Sequence, residues 1–398
     1  MEEWKKLRRK FFFLFFGIFV FMAVVVKYSR TYKVVPQPIR NIHRVLKGAM
    51  IKEHPDNFGF AFITTFVMCQ IPRNCTATHV SLLTELDSAS VPTQIWLPIR
   101  NQKAAGKEDV KMQFDMTVCI SNLFEFNNAL QYAQTLEMYR LLGVDRVVIY
   151  NTSCGPDLNH LLQCYSQEGF VEMVPWPIDK HMNPSHGWFF SAHGGDMHYY
   201  GQIATLNECL YRYMDRSRYV LLHDIDEIVM PYKHDSLQVL LDLLQKQLPK
   251  VEESVCVNFK TQYFKININV SFSFQLYPCS AGCKKELLPE WRGVPGFNIL
   301  EHVYKWDRLS EPLGYKMIVQ PRMVVQTSVH YITETKAEQF LIPHELGHII
   351  HCSVSTPYVK PLKDVQVDTR LWDFGDKLIP NVNQVLKRSG LLGLEWQS

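Results

Sequence analysis

The stretch Arg218-Tyr-Val-Leu-Leu-His-Asp224-Ile-Asp226-Glu227-Ile-Val-Met-Pro231 decides the reading of this chain. Tyr219 to Leu222 is an apolar strand led in by the turn Asp215-Arg-Ser-Arg218. Asp224 and Asp226 stand two apart at its end, and strand residues i and i+2 point to the same side. Two carboxylates held together need a cation. Hard oxygen ligands favour Mg²⁺ or Mn²⁺, and the oxygens of a diphosphate complete the shell. A sugar nucleotide carries such a diphosphate, and the metal would neutralise the charge that builds on the leaving nucleoside diphosphate. Asp224 and Asp226 are therefore candidate metal and diphosphate ligands, with Glu227 as a supporting or structural acid. An isolated Asp-x-Asp is more often two solvated acids in a turn. The apolar strand before it and the third acid raise the metal reading, and no GxxxxGK[ST] or GxGxxG offers another phosphate site.

Upstream of this stretch the elements alternate. Met116 to Ile120 is a short β run, and Glu125 to Leu142 has apolar residues at helical spacing, ended by Gly143. Arg146 to Tyr150 is a continuous apolar strand, Asp157 to Ser166 a short helix, and Phe170 to Val174 the next strand. A helix from about Tyr199 to Met214 precedes the acidic stretch. This order predicts an α/β fold, a Rossmann-like, mostly parallel sheet with helices on both faces. Ligands bind such sheets at the carboxyl ends of the strands. Residues 58–113 read as a small β-rich module, with β runs at Phe60 to Val67, Thr78 to Leu83 and Gln94 to Ile99.

The N-terminus sets the compartment. Phe11 to Val26 is an uncharged apolar run that spans roughly 24 Å as a helix. A thin bilayer and snorkelling flanks accommodate that length. Five bases precede the run, which places residues 1–10 in the cytosol and the body across the membrane. A cleaved signal peptide is the competing reading, but a small-x-small cleavage site is missing. The chain carries 42 Lys and Arg against 39 Asp and Glu, a net charge of +3. Residues 1–33 contribute +6, and the remaining 365 residues carry 34 bases and 37 acids. The body thus lacks the basic excess that draws a protein to nucleic acid. All 10 cysteines lie beyond the anchor, which suits disulfides of undetermined connectivity in an oxidising lumen. Asn74, Asn151 and Asn269 open sequons. Asn151 is the weakest of them, at the end of a core strand.

Several blocks in order resemble glycosyltransferase family 92. They are Thr135-Leu-Glu-Met-Tyr-Arg-Leu-Leu-Gly143 with Arg146-Val-Val-Ile-Tyr-Asn151, then Gly169-Phe-Val-Glu-Met-Val-Pro-Trp176, and Gln202 with Asn207-Glu-Cys209. Asp224-Ile-Asp226-Glu227 and Lys316-Met-Ile-Val-Gln-Pro321 through Val329-His330 follow. The likeness covers about residues 116–355. It implies a GT-A fold and transfer of galactose from UDP-galactose, with inversion, to a glycan acceptor such as core fucose. With the anchor, the expectation is a type II Golgi membrane protein. Where the family carries a late His-Tyr-Arg, this chain has His351-Cys-Ser.

Inversion needs a base on the acceptor hydroxyl, and spacing leaves Glu301, Asp307 and Glu311 as candidates. His330 and His351 are candidate extra metal ligands. Gln202 and Lys316 are candidates for the donor side. Trp176, Trp188, Trp291 and Trp306 could stack on sugar rings or fill the core. A rival motif, His344-Glu-Leu-Gly-His348, fits the zinc-protease HExxH. Gly347 weakens the helix it needs, and the extended metzincin pattern is absent. A non-catalytic lumenal glycan-binding protein is the other competing class. The expected layout is a tail at 1–10, an anchor at 11–26, a stem at 27–57, the β-rich module at 58–113, a GT-A domain at 114–360 and a helical extension at 361–398.

Overall fold

The structure is a computed structural model. It describes residues 33–38, 50–71, 77–83, 96–100, 112–247, 256–264, 288–306, 315–336, 339–352 and 365–393. The expected anchor Phe11–Val26, the sequons at Asn74 and Asn269, and the acids Asp307 and Glu311 lie outside them. Among the described residues no helix is long and apolar enough to cross a membrane.

The chain divides into two compact units, and the first holds residues up to Glu53 together with Thr65–Gln102. Its strands are β1 (Lys33–Pro38), β2 (Met50–Glu53), β3 (Thr65–Met68), β4 (Ala77–Leu83) and β5 (Leu97–Pro98). They form a β1-β4-β5 sheet and a separate β2-β3 pair, both antiparallel. Residues His54–Thr64 fold with the second unit. The expected β run from Phe60 therefore starts only at Thr65.

The second unit is built on a large mixed sheet. Its strands are β6 (Phe114–Leu123), β7 (Arg146–Asn151), β8 (Val171–Pro175), β9 (Ser217–His223), β10 (Glu227–Pro231), β11 (Cys256–Phe264), β12 (Tyr304–Trp306), β13 (Tyr315–Val319), β16 (Gln339–Leu341), β17 (Gly347–Cys352) and β18 (Val365–Val367). A side hairpin pairs β14 (Val324–Thr327) with β15 (Ile332–Thr335). The main path runs β10-β17-β11-β13-β9-β6-β7-β8. The four strands expected from the alternation, β8, β7, β6 and β9, are parallel throughout. Beyond β9 the sheet turns antiparallel at β13 and again at β11. The parallel reading thus holds for the first half of the sheet. In the second half neighbouring strands are mostly distant in sequence and mixed in direction, and such pairing is not legible from local periodicity.

Among the described residues the helices longer than two turns are α1 (Ala129–Leu141), α2 (Pro156–Gln167), α3 (Gln202–Tyr213), α4 (Leu237–Gln247) and α5 (Gly375–Arg388). α1 starts four residues after the expected Glu125. Glu125 is left-handed at φ 51°, and Asn128 caps the helix by accepting from the Gln131 N–H. α1 is buried almost all round, as a helix sandwiched in a core must be. α5 places Leu378, Val382, Val385 and Leu386 on one buried face, and this face joins the α1 core. The extension expected at 361–398 thus contributes a core helix. A disulfide between Cys119 of β6 and Cys209 of α3 staples helix to sheet. Cys69, Cys154, Cys164 and Cys352 are free thiols.

Candidate active site

The acidic cluster is a tight turn at the carboxyl end of β9. The strand ends at His223, Asp224-Ile225-Asp226 make the turn, and β10 begins at Glu227. This corrects the strand-alternation argument for the pair. The chain bends between the two acids, and β10 leaves to pair with β17.

Each acid has its own partners. Asp224 accepts from the Lys316 ammonium at 2.6 Å, from Gln202 Nε2 at 2.7 Å and from Ser121 Oγ at 3.4 Å. Gln202 also donates to Ser121 Oγ at 3.1 Å. Asp226 Oδ2 meets His351 Nε2 at 2.8 Å. Glu227 lies 3.3 Å from Lys316 Nζ, and its carboxylate accepts from the Asp224 N–H at 3.3 Å. Pairing in the sheet delivers both cations. Met317 of β13 faces Leu222 of β9, which sets Lys316 beside the strand end. His351 of β17 faces Glu227 of β10.

The electrostatics follow from this packing. Burial works to raise the Asp224 carboxyl, but Lys316 above all, with His330 and His223, overrides it and holds the group at about 2. Lys316 is fully buried; burial would lower its pKa, yet Asp224 and Glu227 push it above its ordinary value. His351 behaves alike, since burial opposes its charge while Asp226 and Glu227 raise it to about 9. Burial raises the Glu227 carboxyl, with Lys316 opposing. At neutral pH the turn therefore presents acids matched by a lysine ammonium and an imidazolium.

Buried groups support the turn from behind. His223 Nδ1 bonds the Asp224 carbonyl, which can only accept, so Nδ1 carries the proton and Nε2 accepts from Tyr139 O–H at 2.6 Å. Tyr139 O also accepts from the Val229 N–H at 3.2 Å. Burial first, then Lys316, keeps His223 neutral, at about 4.

On the other side the helix expected from Tyr199 begins only at Gln202. Tyr199, Tyr200 and Gly201 are all left-handed, with φ of 33°, 53° and 73°. Asn122 Nδ2 donates to the Tyr199 carbonyl at 2.6 Å and Trp176 Nε1 to that of Tyr200 at 2.8 Å. Such strained residues persist where the surroundings over-determine them. The kink puts Gln202 at the first position of α3, against Asp224.

The structure brings Asp224, Asp226, Glu227, Gln202, Lys316 and His351 together. His330 stands beside them: its Nδ1 bonds the Tyr315 carbonyl at 3.2 Å and its ring stacks on Trp188. Glu301 is half-buried in a 3₁₀ turn next to α1, and burial raises its carboxyl. Among the described residues its contacts do not include the acidic turn. Trp176 packs on Tyr150, and Trp291 is buried. Asn151 is half-buried, its amide donating to Cys154 Sγ at 3.8 Å. Ser121, His223 and Tyr139 escaped the sequence reading. Ser121 and Tyr139 act through residues distant in the chain, and His223 bonds the neighbouring Asp224 carbonyl as well as the distant Tyr139; no spacing signals these bonds.

The zinc-protease motif has no helix. His344 lies in a turn and His348 in β17, and their rings stack face to face at 4.2 Å. His348 stacks on Tyr232, whose hydroxyl donates to Asp368 at 2.7 Å.

A carboxylate turn at the carboxyl ends of a mixed α/β sheet, flanked by a buried lysine and a late histidine, is consistent with a GT-A-like fold. The chain belongs to glycosyltransferase family 92, whose model matches residues 114–384. The match runs past the expected domain boundary at 360 and takes in most of α5. Two proteins of Caenorhabditis elegans are similar. A glycosyltransferase family 92 protein is 26% identical over 34% of this chain and 26% of its own length. The beta-1,4-galactosyltransferase galt-1 is 22% identical over 45% of this chain and 40% of its own length. The chain thus aligns with well under half of each relative.

Proposed function

We propose that this protein transfers galactose from UDP-galactose to a glycan acceptor, with inversion, using Mn²⁺ or Mg²⁺ at the acidic turn. The proposal includes the Golgi lumen as the site, with Phe11–Val26 as a type II anchor. The observation that carries it is the pair Asp226–His351 at 2.8 Å, at the edge of a turn whose other acid, Asp224, is already neutralised by Lys316. The galactose assignment draws on the name of galt-1, and the lumenal one on the Cys119–Cys209 disulfide.

The donor set suits a divalent ion. Asp226 supplies a hard carboxylate oxygen, and His351, once the ion displaces the proton it shares with Asp226, an imidazole nitrogen. Among the described residues no three ligating side chains form a ready cluster, so diphosphate oxygens would complete the shell. When bound, the ion supplies charge neutralisation for the leaving UDP. The chain's own residues do the rest. Lys316, Gln202 and Ser121 fix the Asp224 carboxylate, and His223 and Tyr139 hold the turn's backbone. A carboxylate takes the acceptor proton. Glu301 is the described candidate, and its raised pKa suits that role. Asp307 and Glu311 are the others.

The test is UDP release by the full-length protein with UDP-galactose, UDP-glucose or UDP-N-acetylglucosamine, Mn²⁺ and a panel of N-glycans. Release with UDP-galactose, abolished by chelator and by Asp226→Asn, is expected. Full activity in chelator overturns the metal. Release from another donor alone overturns galactose. No release from any donor, with glycan binding intact, favours a non-catalytic binder.

A further inference from the structure

We propose that the segment His54–Thr64 and the loop Trp188–Phe190 form an aromatic platform that seats a pyranose ring of the acceptor glycan beside the acidic turn. This rests on the transferase reading above. The segment lies upstream of the family match at 114–384, yet it folds into the catalytic unit.

The segment is firmly tied down. His54 Nε2 donates to the Thr327 carbonyl at 3.1 Å, and the Asp56 N–H donates to His54 Nδ1 at 3.0 Å. The Asp56 carboxylate accepts from Ser328 Oγ and from Tyr331 O–H, the latter at 2.7 and 2.8 Å. Phe58 and Gly59 turn the chain at φ 51° and 84°. A continuous set of rings follows. His330 is close enough to Asp224 and Lys316 to feel both charges. Trp188 stacks on His330 with centroids 5.1 Å apart and planes 4° apart. His198 stands edge-on to Trp188 at 5.1 Å and stacks on Phe58 at 4.1 Å. Phe189 lies 6.3 Å from Phe58 and Phe190 lies 5.8 Å from Phe60.

Two features point to a ligand. First, the outer rings face water: Phe189 is 56%, Phe190 48% and Phe62 56% exposed. Grouped exposed rings mark a binding surface, and they suit the apolar C–H face of a sugar. Second, His198 is 5% exposed, and among the described residues neither ring nitrogen has a hydrogen-bond partner. An unpartnered buried polar group is unfavourable, and a sugar hydroxyl would relieve it. Burial keeps this imidazole neutral at about 4, so it offers one donor and one acceptor. Charge selects the occupant. The two segments contain Asp56 and no Lys or Arg, so the platform fits a neutral sugar and repels a phosphate.

The experiment compares the full-length protein with the Phe189→Ser/Phe190→Ser double variant, whose changes are at exposed positions, and with His198→Ala. The Kd for labelled N-glycans is measured directly, alongside acceptor KM, kcat and the Kd for UDP with Mn²⁺. The expected result is a rise of about tenfold in glycan Kd and acceptor KM in the double variant, with UDP affinity unmoved. Unchanged glycan affinity in both variants overturns the platform. So does a wild-type protein that binds no glycan, and so does a double variant that only changes from dimer to monomer. If no donor is turned over but glycan binding depends on Phe189 and Phe190, the transferase reading falls and the platform stands. If turnover is normal and glycan affinity is unmoved in both variants, the platform falls and the transferase reading stands.

Discussion

The Lys316 ammonium lies 2.6 Å from Asp224 and 3.3 Å from Glu227, with the lysine side chain 1% exposed. One buried cation thus answers two carboxylates that the sequence places three residues apart. Removing one partner of a buried ion pair leaves the others uncompensated. Lys316→Met is expected to destabilise the protein by about 3–5 kcal/mol, read by urea unfolding. A midpoint equal to the wild type would show that the pair is dispensable.

His351 tests the metal assignment separately from the fold. If Asp226 and His351 hold the ion together, His351→Ala should raise the Mn²⁺ concentration for half-maximal activity about tenfold or more. Its kcat at saturating Mn²⁺ should fall less than that of Asp226→Asn. An unshifted Mn²⁺ curve would reduce His351 to a charge partner of Asp226.

The Cys119–Cys209 bridge closes 90 residues of chain and joins β6 to the helix that carries Gln202. Cys209→Ala is expected to cost about 2–4 kcal/mol, and reductant should lower the unfolding midpoint of the wild type more than that of the variant. Equal sensitivity of the two proteins to reductant would refute the assignment.

Glu172 sets an acid limb of stability. It accepts from Tyr213 O–H at 2.6 Å and from Arg146 and Arg212 at 3.1 Å each. Burial works to raise its pKa, but these partners bring it below the ordinary carboxylate value. A depressed folded pKa gives stability that is fully present above the unfolded value of about 4.3 and fades as pH falls through the folded one. Glu172→Gln should therefore lower stability at pH 7 and flatten its decline below about pH 4.3. Urea midpoints from pH 3 to 7 measure this, and parallel curves for the two proteins would count against it.

The first half of the sheet was legible because its signals are local. Met116 to Val174 and Tyr219 to Leu222 carry strand and helix periodicities within single elements, and β6, α1, β7, α2, β8 and β9 all appear near their expected places. Helix starts were less legible. Asn128 and the left-handed Tyr199-Tyr200-Gly201 turn override the apolar spacing, because capping and side-chain bonds to distant backbone decide them. The HExxH spacing shows the converse. It is a complete local pattern, but β17 takes up its second half in pairing with β10.

By itself the sequence determined the α/β alternation, the acidic pair at a strand end and the family signature, since each is written in residues near one another. Only the tertiary structure decided what meets the acids. Lys316 is 92 residues from Asp224, and His351 is 125 from Asp226. Antiparallel pairing of β13 with β9 and of β17 with β10 brings them there. Register between distant strands is a property of the packed sheet. That Lys316 and His351 pair with these acids is therefore visible only once the chain has folded.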